Sequence, residues 1–181
     1  MDALGQVFIA VKMSSGFVIH CAFQTRGRGF RSRFEGWSEP DESGWQTRAD
    51  SDANIEFYVA QTEREMWSKD GHTVVSWRRI SDAEHALFER DRPYRNALVD
   101  NAGRIEYDMS RARERHRLQL RRERTAAMID LDARFMRALG QGNKAEQDAV
   151  EAERQKWRDV PADPRIEAAQ TLEELKQIRV V

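Results

Sequence analysis

The chain has 181 residues, 40% hydrophobic and 34% charged: enough apolar material for a modest core, with a charge share that points to long, solvated helices. Its 30 basic residues nearly cancel 31 acidic ones, and the net charge of −1 removes the bulk electrostatic case for nucleic acid or an anionic membrane, leaving only local patches. Cys21 is alone, so an intrachain disulfide is excluded, and no apolar run approaches the roughly 20 residues that span a bilayer.

The N-terminus, MDALGQVFIAVKM, lacks a basic region and carries a lysine inside its apolar run, so it does not read as a secretory signal, and a cytoplasmic location is expected. The first eighty residues read as β. Val7, Ile9, Val11 and Met13 alternate with Phe8, Ala10 and Lys12, and Phe17, Ile19, Cys21 and Phe23 alternate with Val18, His20 and Ala22. Ser14-Ser15-Gly16 between them suits a three-residue hairpin loop with Gly16 left-handed. Cys21 reads as a buried thiol.

Residues 25–52 are rich in Gly, Ser, Asp and Arg and read as a long loop with one short strand at Phe30–Phe34. Arg26, Arg28, Arg31 and Arg33 interleave there with Phe30 and Phe34, and Trp37 and Trp45 follow. Arg26, Arg28, Phe30, Trp37 and Trp45 are therefore the candidates for an exposed aromatic and basic surface. The plainer reading of the tryptophans is core or interface packing, which is preferred. Ile55–Ala60 alternates again, with Ile55, Phe57 and Val59 on one side, and predicts a strand; Thr73–Ile80 predicts another. Asp70-Gly71 between them is the strongest two-residue hairpin signal.

Ser81-Asp82-Ala83-Glu84 fits a capping box for a short helix to about Arg90, and Pro93 ends any continuation. Asn101-Ala102-Gly103 marks a turn before a short strand, Arg104–Tyr107. From Met109 about thirty residues pass without Gly or Pro. Ala112, His116, Leu120, Ala127, Leu131, Phe135 and Ala138 share one helical face. Gly140-Gln141-Gly142-Asn143 stops the helix, with Gly140 as the expected left-handed residue. A second helix follows from Lys144 to about Asp159, with Ala145, Ala149, Ala152 and Trp157 available for contact, and Pro161 closes it. Opposite charges at helical spacing, Glu114/Arg117, Asp130/Arg134 and Glu151/Arg154, suit solvated faces.

At about 1.5 Å per residue these helices are roughly 45 and 24 Å long. Folded back, the second covers only the C-terminal half of the first. The half from Met109 to about Arg122 is thus expected to need cover from the β domain, another copy or a partner. Asp163-Pro164 and the capping box Thr171-Leu172-Glu173-Glu174 start short helices in the tail, and Leu172, Leu175 and Ile178 form one apolar edge.

Little chemistry is legible. His20, His72, His85 and His116 are scattered and lack metal-ligand spacing with cysteine or carboxylates. No G-x-S-x-G, HExxH or P-loop pattern occurs, so neither enzyme activity, nor a metal, nor a cofactor is expected. Eight arginines fall between Arg104 and Arg124, but they spread around the helix among Glu106, Asp108, Glu114 and Glu123, so a solvated face is preferred over nucleic-acid binding.

Four segments carry a family likeness: ISDAEHALFERDRP (Ile80–Pro93); NAGRIEYDM (Asn101–Met109), followed by Arg-rich helix; LDARFMRALGQGNKAEQDAVEAERQKWRDVPADP (Leu131–Pro164); and TLEELKQI (Thr171–Ile178). In this order and spacing they resemble the C-terminal region of phage and prophage tail proteins of the tail assembly chaperone-like, tail-fibre-associated kind. The resemblance implies a role in a phage tail, in the host cytoplasm during assembly or in the virion, with no catalytic residues to carry over.

The expectation is an α+β chain: a β-rich N-terminal domain (1–80), a connector (81–108), a helical hairpin (109–160) and a helical tail (161–181). It is expected to act as a non-enzymatic tail-fibre or tail-tip component in several copies, with a fibre assembly chaperone and a nucleic-acid binder as the alternatives. Leu120, Met128, Leu131, Phe135, Leu139, Val150 and Trp157 are the residues expected to make the hairpin contact.

Overall fold

Residues 6–28 and 37–180 are described by a computed structural model, whose contacts divide the chain after Glu106 into two units. The class is α+β. The expected strand at Phe30–Phe34 lies outside the described residues.

In the first unit, β1 (Gln6–Met13) and β2 (Val18–Gln24) pair antiparallel with Ile9 opposite Cys21 and Ala10 opposite His20. The loop between them is the three-residue one the sequence predicts: Met13 N–H donates to Phe17 O at 3.0 Å, and Gly16 has φ 80°. β3 (Arg26–Arg28) and β4 (Trp45–Thr47) then form a two-stranded ribbon, where the sequence suggested only loop.

The strand expected at Ile55–Ala60 is wrong. These residues lie in helix α1 (Asp52–Glu65), capped by Ser51, whose side chain accepts from Asn54 N–H. Ile55 and Val59 satisfy period two and helical i,i+4 spacing equally. The cap, and an uninterrupted run to Glu65, decide for helix, which leaves Phe57 exposed. Asp70-Gly71 is accordingly no hairpin turn. Gly71, at φ 76°, ends the 3-10 turn Trp67–Asp70, which follows α1 and leads into β5 (Val74–Arg79).

β5 pairs antiparallel with β1, so the sheet order is β2-β1-β5. Ile9, Val11 and Met13 of β1 pack with Phe23 of β2 and with Ile55 and Val59 of α1. The opposite face carries Phe8, Ala10 and His20, and receives helix α2 (Asp82–Arg90) through Phe8–His85 and His20–Phe88 ring contacts. Both halves of the predicted capping box form at its start: Ser81 Oγ accepts from Glu84 N–H, and Glu84 Oε2 accepts from Ser81 N–H. A 3-10 turn, Arg92–Ala97, leads to the hairpin of β6 (Leu98–Asn101) and β7 (Arg104–Tyr107). Its two central residues, Ala102 and Gly103, both have positive φ, 51° and 86°. Arg78 of β5 ties these pieces together, donating to Glu84 of α2 at 2.6 Å and to Asp100 of β6 at 2.8 Å. That pairing holds the Glu84 carboxyl down at about 2.

The second unit is helical. Helix α3 (Met109–Gly140) is capped by Asp108, and α4 (Lys144–Asp159) by Asn143. Between them Gly142 N–H donates to Leu139 O and Asn143 N–H to Ala138 O, a Schellman motif. The left-handed residue is therefore Gly142 (φ 66°), not Gly140, which is still helical. After the 3-10 turn Val160–Ala162 come α5 (Pro164–Ala168), capped by Asp163, and α6 (Leu172–Gln177), capped by Thr171. Glu174 accepts from Gln170 N–H at 2.7 Å, one residue before the cap.

Candidate functional site

The helical pair α3–α4 is antiparallel, clamped by Arg134 donating to Glu146 (3.0 Å) and Glu153 (2.8 Å). Arg154 pairs with Asp132 and Glu151 and lies 4.6 Å over the Phe135 ring. Of the residues expected in this contact, Leu131 and Val150 are buried, and Met128, Phe135 and Trp157 are half-buried. Leu139 is 51% exposed and takes no part. Ala145, Ala149 and Ala152 also face solvent; the covered side of α4 is Gln147, Val150, Arg154 and Trp157, at spacings of three and four. Of the three local charge pairs, only Glu151–Arg154 forms. Arg134 reaches across to α4, and Arg117 pairs with Glu167.

The N-terminal half of α3 departs most from expectation. It is covered by the chain's own tail. Ala112, His116 and Leu120 are buried on α3, and Ile166, Ala169, Leu172, Leu175 and Ile178 are buried in the tail. Arg113 Nη2 donates to Ala169 O at 2.8 Å, and His116 Nε2 lies 2.9 Å from Ile178 O. A carbonyl can only accept, so Nε2 carries the proton. Leu120, also expected in the hairpin contact, is buried on the same face as Ala112 and His116. The half-helix expected to need a partner is thus covered from within the chain, because the short tail helices supply the apolar edge.

What α3 leaves bare is a different stripe: Leu118 (36% exposed), Ile129 (68%), Met136 (63%) and, at its edge, Leu139. Thr125 and Ala133 fall on the same line at helical spacing.

The candidate aromatic and basic surface is assembled in part. Arg26 and Arg28 lie 4.5 and 4.6 Å from the Trp45 ring centre, and Arg48 lies 4.6 Å from that of Trp37. Trp37 and Trp45 are half-buried, their faces occupied by the chain's own guanidiniums. Arg48 also sits 3.8 Å from the Phe23 ring centre. Burial lowers its pKa to about 10, which leaves it protonated at neutral pH. Phe30 lies outside the described residues.

The histidines do not stay scattered. His85 and Glu89 stand one turn apart on α2, and β2 brings His20 to them. Their nearest ligand atoms all lie within 4.8 Å of one another, with His20 Nε2 3.3 Å from Glu89 Oε1. Phe8 stacks on His85 at 3.5 Å and 13°, and Phe88 lies 4.7 Å from His20, so both rings are held in place. Burial lowers the pKa of His20, and the neighbouring His85 lowers it further, against the opposing pull of Glu89. A cavity of about 230 Å³, lined by His20, Phe88, Arg95 and Asn96 among others, adjoins the ring. The only local signal was His85 and Glu89 at i,i+4; the third member comes from 65 residues away, through a strand position that alternation alone does not connect to a helix.

Among the described residues no helix is long and apolar enough to cross a membrane. No protein-family model, curated protein or solved structure matches this chain.

Proposed function

We propose that the chain is a non-enzymatic binding protein of a phage or prophage tail, acting through the exposed face of α3. The observation that carries the binding role is the solvent-facing line of Leu118, Ile129 and Met136, on a helix that buries Ala112, His116, Leu120, Leu131 and Ala138 elsewhere. Large apolar side chains repeated along one exposed face gain from being covered, and the helical pair with its self-packed tail presents them on a rigid support. The tail setting rests on the resemblance of the four segments between Ile80 and Ile178.

The face is also self-complementary. Antiparallel pairing of two copies about residue 127 sets Leu118 against Met136, Thr125 against Ile129, and Arg122 against Asp132. The protein therefore works in more than one copy, seated among fibre or tail-tip proteins.

The double variant Ile129→Glu/Met136→Glu tests the reading, since both side chains face solvent and the fold should survive. Sedimentation should show a dimer for the wild type and a monomer for the variant. Mass spectrometry of purified particles should find the wild-type chain at a copy number matching tail symmetry; recovery only with unassembled fibre would identify an assembly chaperone instead. A wild-type chain that sediments as a monomer, is absent from particles and never accompanies fibre sinks the proposal.

A further inference from the structure

We propose that His20, His85 and Glu89 form a binding site for a divalent transition-metal ion of the zinc class, with its remaining coordination position open to water. Two imidazoles and one carboxylate are a donor set that suits such ions. The 3.3 Å between His20 Nε2 and Glu89 Oε1 is longer than the roughly 2.7–2.9 Å of a charge-assisted N–H···O bond. It is close to the separation of about 3.3 Å between two ligands that each lie about 2.0 Å from a tetrahedral ion. The donor atoms of all three residues lie within 4.8 Å of one another, and Phe8 and Phe88 pack on the two rings.

The carboxylate is already divided between two tasks. Arg92 holds Oε2, which leaves Oε1 directed at His20. An outer partner of this kind orients a ligand without occupying its donor atom. On binding, the Nε2 of His20 presents its lone pair to the ion and the ring proton sits on Nδ1; no redox change is involved. Arg95 and Arg92 also bring positive charge near the ion, which moderates affinity and leaves Glu89 as the one carboxylate to offset it.

The test is titration of the full chain with Zn²⁺ by calorimetry, and with Co²⁺ by visible absorption, at neutral pH. One ion per chain is expected, with the cobalt spectrum of a low-coordinate nitrogen and oxygen site. Outer partners alone change metal affinity roughly 10–100-fold, so Glu89→Gln and His85→Gln should each weaken binding by at least about tenfold. His72→Gln, altered at a ring that packs edge-on against Phe17, should bind as the wild type does. Glu89→Gln lies on the surface and decides the matter if His85→Gln loses its fold. No binding in the micromolar range, or binding that Glu89→Gln leaves unchanged, overturns the site.

Discussion

At the scale of single residues, two positions store free energy in ways that can be measured. Ala102 is held at φ 51° in the β6–β7 turn, where an L side chain without a local hydrogen-bonding group costs roughly 1–2 kcal/mol. Asparagine tolerates that conformation, and Asn-Gly is the favoured pair for such a turn. Ala102→Asn should therefore raise stability by about 0.5–1 kcal/mol in urea unfolding; an unchanged or lower midpoint would mean the turn is not under this strain. His116 is the second position. Burial lowers its pKa below the ordinary 6.5, against the Ile178 carbonyl, which raises it. As pH falls through 6.5 the unfolded chain takes up a proton that the folded site resists, so the contact's stability is complete above that value and declines below it. Hydrogen-exchange protection around residues 112–120 and 166–178 should drop between about pH 7.5 and 5.5. His116→Gln, which can still donate to Ile178 O, should lose most of that pH dependence.

At the scale of elements, the contact between α3 and the tail makes the sharper claim. Five apolar tail residues are buried although α5 and α6 have only five and six residues each, lengths at which isolated helices do not persist in water. Their structure is therefore a consequence of docking, with Asp163, Thr171 and Pro164 setting where each turn begins. Leu175→Asp places a charge at a fully buried position and should release the tail, abolishing exchange protection at Ala112 and His116 while leaving the Leu131–Val150 region protected. Equal loss in both halves of α3 would show one indivisible unit instead. Elements announced by caps were the ones most legible in the sequence: Ser81 with Glu84, Asp163 with Pro164, and Thr171 each start a helix where their side chains can accept the first free N–H groups. Ile55–Ala60 was misread despite the Ser51 cap, because Ile55 and Val59, four residues apart, fit a strand face and a helix face alike.

At the scale of the whole molecule, the first unit is a sheet covered on both faces, by α1 on one and α2 on the other, and the second a helical pair closed by its own tail. The metal-ligating cluster and the exposed α3 stripe lie in different units, so the two proposals fail or stand separately. The sequence by itself determined what local chemistry controls: the period-two strands β1 and β2, the loop at Gly16, the helix caps, and the uninterrupted α3 that ends in a glycine-bearing stop. Only the tertiary structure decided which surfaces are shared. It set Ile55 and Val59 against the sheet, laid the tail on α3, and carried His20 to His85 and Glu89. Periodicity records that a face is apolar but not what will cover it, because that choice depends on contacts between residues dozens of positions apart.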